Sequence, residues 1–182
     1  MDSLDFNKVS ISKAYNFKNI NGKYCHINYD ETKLEFEITG TIAFDVNKNY
    51  PKPNLFIYLT KEIEEFENSL KKRLTQLVSN NSKYIYGEYL DLAVSSDFYC
   101  SPHKTIQKGK KFLDVLKLKI ILNENIPEEL PRNKLVKMKV HVSGMWFAEN
   151  SYGPYFNVTN IEVLEKEKKS YFLEDPDSEI DL

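Results

Sequence analysis

The sequence predicts a mainly β protein: an antiparallel barrel carrying one amphipathic helix and ending in an acidic tail. Three observations predict it. Short runs of alternating apolar and polar residues, separated by Gly, Pro and Asn, recur along the chain, as half-buried strands require. One segment, over about 61–79, changes to helical spacing. The last nine residues, EDPDSEIDL, hold five acids and no base.

The elements follow in order. Asn21-Gly22 centres a turn, and KYCHINY (23–29) is a strand. In KLEFEITGTIAFDV (33–46), Leu34, Phe36 and Ile38 alternate with Glu35 and Glu37, and the pattern resumes at Ile42 after Gly40. A Gly inside a strand pattern marks a bulge or bend, which a small closed barrel needs. Pro51 and Pro53 make 49–54 a loop, and NLFIYL (54–59) a short strand. Ile63, Phe66, Leu70, Leu74, Leu77 and Val78 then form one helical stripe, with Thr60 as its cap and Glu62, Glu64 and Glu65 at its positive end. The stripe packs on the sheet.

Strands return with KYIYGEYLDLAV (83–94) around Gly87. KKFLDVLKLKIIL (110–122) puts Leu116, Leu118, Ile120 and Leu122 on one face and Lys117 and Lys119 on the other. NIPEELPRN (125–133) is a loop. In KLVKMKVHVSG (134–144), Val136, Met138, Val140 and Val142 face inward, while Lys137, Lys139, His141 and Ser143 face outward. Tyr152-Gly153-Pro154 is the turn into the return strand 155–165. Strands, one helix and strands again fit a Greek-key barrel of the OB type, a partly open barrel that binds oligonucleotides on one face. A β-sandwich with an inserted helix is the alternative. Residues 1–166 form this domain and 167–182 a flexible acidic tail.

Net charge is −2, but removing the five acids of 174–182 leaves 25 bases against 22 acids, a body of +3. Such asymmetry suggests an interaction tail. Cys25 and Cys100 imply no disulfide framework, and no leader or membrane-spanning run is visible, so a soluble intracellular protein is expected. Phosphate-loop, dinucleotide, nucleophile-elbow and zinc-protease motifs are absent, which argues against an enzyme and against a cofactor. Cys100 and His103 have ligand-like spacing, but are read as a buried thiol and a surface imidazole rather than a metal site.

The remaining signal is rings beside cations. Adjacent side chains of a regular strand point to opposite faces. Trp146 and Phe147 therefore cannot both enter one core, and the same limit holds for Tyr155 and Phe156. Lys137 and Lys139 lead toward the Trp146/Phe147 pair. Lys117 and Lys119 form a second outward pair. Lys104, Lys108, Lys110 and Lys111 make a basic loop after Phe98 and Tyr99. Sequence-tolerant single-strand binders combine a positive track for phosphates with aromatic platforms for bases. The expected binding set is Trp146, Phe147, Tyr152, Tyr155 and Tyr99, with Lys117, Lys119, Lys137, Lys139, Lys108, Lys110 and Lys111.

Two segments, 95–120 and 134–165, resemble the C-terminal half of single-stranded DNA-binding proteins of the T7-like phage type, which have relatives in large eukaryotic DNA viruses. The features that carry the resemblance are Val140 to Val142, Gly144-Met145-Trp146, Tyr152-Gly153 and Ile161-Glu162-Val163, with the acidic tail as a second family feature. This tail ends in Leu182, whereas many of the family's end in an aromatic residue. The resemblance implies an OB-fold barrel that coats single-stranded DNA in replication, recombination or repair, without catalysis. It implies a tail that occupies the basic groove until DNA displaces it and then docks a DNA polymerase, helicase or primase. Here that tail would use Phe172, Glu174, Asp175, Asp177, Glu179 and Asp181. The family allows homodimers, and if the chain is viral, the site of viral replication is its place. Two other functions fit the same residues: a protein-interaction module docking through the aromatic hairpin, and an RNA-binding barrel.

Overall fold

The structure, a computed structural model, describes residues 4–17, 21–46, 49 and 53–164. The expected acidic tail and its partner-docking residues lie outside the described residues. Ten strands and two α-helices follow in order. They are β1 (Val9–Ile11), β2 (Tyr15–Asn16), β3 (Lys23–Tyr29), β4 (Thr32–Lys33), β5 (Glu35–Thr41), β6 (Asn54–Tyr58), α1 (Lys61–Tyr86), α2 (Leu92–Asp97), β7 (His103–Lys108), β8 (Lys111–Ile120), β9 (Leu135–Ala148) and β10 (Ser151–Leu164).

The strands form one mixed, unclosed sheet in the order β1-β3-β9-β10-β8-β6, with β5 beside β9 and β7 beside β8. It is not purely antiparallel, because β10 runs parallel to β8 at Asn157↔Lys119. No ladder joins β5 to β6, although an isolated bridge links Ile42 to Ile57. Gly40 is not a bulge. It pairs regularly with Val136, and a Cβ there would stand 3.1 Å from the Ile57 side chain. The missing side chain leaves room for β6 where the chain leaves β9 for its next neighbour.

Helix α1 begins as expected, with the Thr60 hydroxyl accepting the Ile63 N–H at 3.3 Å. It runs past the expected end to Tyr86, so 83–94 is not a strand. The reason is legible in the residues. Val78, Ser82 and Ile85 continue the buried stripe, and Gly87 adopts the left-handed φ of 89° that closes a helix. The following residues supply α2, capped by Asp91, whose carboxylate accepts the Val94 N–H. Leu70, Leu74 and Val78 are fully buried, and each such burial stabilises by about 1.5–3 kcal/mol. Lys23, at the start of β3, donates to the backbone oxygens of Tyr84 and Ile85 and so satisfies the end of α1. No helix among the described residues is long and apolar enough to cross a membrane.

Candidate nucleic-acid interface

The Trp146/Phe147 question is answered by a bulge. In the β9–β10 ladder, Tyr155 faces Gly144 and Phe156 faces Val142, leaving Ser143 without an opposite. One extra residue exchanges the two faces of the strand beyond it. Before the bulge, Lys137, Lys139, His141 and Ser143 point outward, and beyond it the outward set becomes Trp146 and Ala148. Phe147 is 3% exposed. Gly144 is required at the crossing, because a Cβ would collide with the Cys25 carbonyl oxygen and the Tyr24 ring. The Tyr24 hydroxyl donates to the Ser143 carbonyl oxygen at 3.0 Å, holding the ring across the gap. Gly153 does the same for Trp146, whose indole lies 3.1 Å from where its Cβ would stand.

The outward face carries a row of rings. Tyr24 lies 5.5 Å from Tyr15, 5.1 Å from His26, 5.9 Å from Phe17 and 6.1 Å from Tyr155, measured between ring centres. Tyr15 is half exposed, and its hydroxyl is 3.3 Å from His26 Nε2. The Lys119 ammonium stands 4.5 Å from the Tyr155 ring centre. On β8 and β6, Lys117 pairs with Phe56, which packs edge-on against Phe44 at 5.7 Å. Lys108 reaches over Phe44 at 5.5 Å. A groove of about 340 Å³ lies among Lys104, Lys117, Lys119, Trp146 and Tyr155, with Cys100 on its wall. Between β10 and β9, Asn157 donates to the Ser143 hydroxyl at 2.7 Å.

Compared with known proteins, this chain matches no family model, no curated protein and no solved structure.

The structure divides the expected residues. Trp146 and Tyr155 are half-buried on the outward face, together with Lys117 and Lys119. Phe147, Tyr152 and Tyr99 are buried and belong to the core. Tyr152 donates to the Thr75 hydroxyl at 3.1 Å, and Tyr99 donates to the Glu67 carboxylate at 2.9 Å, so the first ties β10 and the second the segment between α2 and β7 to α1. Burial pushes the Tyr152 hydroxyl up to about 12, and burial beside Glu67 pushes Tyr99 well up. A hydroxyl satisfied inside the core has no part in base stacking.

Lys137 and Lys139 face outward as expected but are not spare cations. Lys137 pairs with Glu37 at 2.9 Å and Lys139 with Glu35 at 2.7 Å. Each carboxylate holds its ammonium above the ordinary lysine value. These exposed pairs contribute little stability, but they cancel the local field, so the positive half of the face lies on β7 and β8. The basic loop is a β-hairpin: Lys104 pairs with Val115 and Lys108 with Lys111, and Gly109 turns the chain with a φ of 63°. Cys100 is exposed rather than buried, and Cys25 is the buried thiol, pushed up to about 12 by burial. Among the described residues no three potential metal ligands converge.

Sequence reasoning missed Tyr15, Tyr24, His26, Phe44 and Phe56. For Tyr24 and His26 the signal was present, since both alternate with the buried Cys25 and Ile27. Phe44 and Phe56 meet across a loop, and no spacing in the chain reports that contact.

Proposed function

We propose that this protein binds single-stranded DNA without sequence preference, coating it during replication, recombination or repair and acting without catalysis. The observation that carries the reading is the single outward sheet face on which Tyr24, Trp146 and Tyr155 adjoin Lys119, Lys117 and Phe56. Every base has a π-face, so rings serve any sequence, and each stacked base contributes about 1–3 kcal/mol. Lysines beside the rings meet the phosphates between bases.

The strand order supports an OB-type barrel as the finer fold. From β5 the neighbours run to β9, β10, β8 and β6, and the Ile42–Ile57 bridge leads back to β5. On that reading β6 and β8 are the second and third barrel strands, whose face is the oligonucleotide-binding face of such barrels. Phe56 and Lys117 lie there. The acidic tail then competes with DNA for this face and docks the replication partner, a polymerase, helicase or primase. The same reading places the protein inside the cell, wherever single strands are exposed.

The test is a titration of labelled oligo-dT followed by anisotropy, with duplex and RNA competitors over a salt series. Counterion release gives a slope of about −0.7 per phosphate contact, so three to five lysine contacts predict roughly −2 to −3.5. Duplex should compete poorly. A flat salt dependence overturns the reading, and preferential capture of RNA moves it to RNA.

A further inference from the structure

The β7–β8 hairpin extends the sheet as a two-faced ribbon. On its far edge β8 pairs with β6 only from Val115 onward, so Lys111, Phe112 and Leu113 have β7 as their sole ladder partner. Cross-strand partners share a face. One face therefore carries Lys104, Lys108 and Lys111, with the Ile106/Leu113 pair between them, and continues past the buried Val115 into Lys117 and Lys119. None of Lys104, Lys108, Lys110 and Lys111 takes part in an ion pair among the described residues. The opposite face carries Phe112 and Gln107 near the tip, and Thr105 and Asp114 nearer the body. Phe112 is 67% exposed, and among the described aromatic residues only Tyr84 and Tyr89 are more exposed. Asp114 accepts from Thr105 at 2.6 Å and lies 3.3 Å from His103 Nε2. Those two hydrogen bonds hold its carboxyl below the ordinary aspartate value, so it stays ionised.

The two faces suit two different surfaces of a nucleic acid. The lysine face attracts phosphates. The phenyl face has the Asp114 carboxylate at its base and carries no lysine, so it disfavours phosphates and presents Phe112 for stacking. At a junction between single and double strand, both surfaces are present side by side: the backbone of the emerging strand, and the uncovered flat face of the last base pair. Apolar side chains such as Phe insert between base steps and unstack them, and an aromatic ring offers a base a stacking surface in return.

We propose that the β7–β8 ribbon is a junction wedge. Lys104, Lys108 and Lys111 carry the phosphate track of one strand up to the fork, and Phe112 stacks on the terminal base pair. The partner is thus a duplex end with a single-stranded extension. This rests on the reading of the sheet face as a single-strand track.

The test compares oligo-dT with a duplex bearing a dT overhang of about 16 nucleotides, the upper end of site sizes for such domains. A 2-aminopurine at the junction reports unstacking. The wild-type chain should bind the tailed duplex roughly tenfold more tightly than the bare tail, as one extra stacked ring allows, and should raise the 2-aminopurine signal. Phe112→Ala should lose both effects while keeping oligo-dT affinity within about twofold, and Phe112→Trp should retain them. A wild-type chain that binds oligo-dT but shows no junction preference overturns the wedge alone, as does Phe112→Ala that keeps the preference. Failure to bind oligo-dT at all overturns the sheet-face reading and the wedge with it.

Discussion

Trp146 and Phe147 are sequence neighbours with opposite roles, and alanine at each should fail differently. Phe147→Ala removes a core ring and should destabilise by about 3–5 kcal/mol, read as a shifted urea midpoint. Replacing Trp146 and Tyr155 together should instead weaken oligo-dT binding by about 1–3 kcal/mol for each stacked base lost, with the salt slope unchanged. If the double variant binds normally, these rings are not platforms. At this scale the sequence was half informative. It showed that the two rings must part, and it could not show which one turned inward. That choice depends on Ser143, a residue whose lack of a ladder partner exists only once β10 lies beside β9. Lys137 and Lys139 were likewise placed on the correct face, but the glutamates that neutralise them come from β5, a strand distant in sequence.

Strand β9 is the element on which the face depends. Its first half presents lysines and its second half presents an indole, and the change of phase between them takes one residue and one glycine. Gly144→Ala should disrupt that crossing, since the obstacles are backbone and a ring pinned by its own hydrogen bond. The expected outcome is a large loss of stability, with the Tyr24–Tyr155 contact broken, seen as a lowered melting temperature and a changed tyrosine spectrum. A variant as stable as the parent would mean that the crossing is slack. Alternation made β8 and β9 legible, and the stripe from Ile63 to Val78 made most of α1 legible. The errors cluster where two patterns overlap. Tyr84 and Tyr86 around Gly87 read as a strand, yet the helical stripe through Ser82 and Ile85 was already running and the glycine closed it. The turn was placed at Tyr152-Gly153-Pro154, whereas Ser151 already pairs with Ala148 and Glu149-Asn150 makes the turn. Pro154 is tolerated because the β8–β10 ladder begins only at Asn157, beyond it.

Across the whole molecule, charge is divided more sharply than its total of −2 indicates. The body without residues 174–182 is +3, and on the outward face β7 and β8 carry more lysines than β9, whose Lys137 and Lys139 are paired with Glu37 and Glu35. Deleting 174–182 should therefore tighten oligo-dT binding at low salt and matter less at high salt, where the Debye length falls to about 3 Å at 1 M. Weaker binding after deletion would reject competition between tail and DNA. The fold also joins distant parts mechanically. Lys23 closes the end of a 26-residue helix from the first position of the strand that bears Tyr24. That lysine acts as a tie rod. A load applied to the ring-bearing face passes through β3 into the long helix, so the face is braced by an element that carries none of its rings.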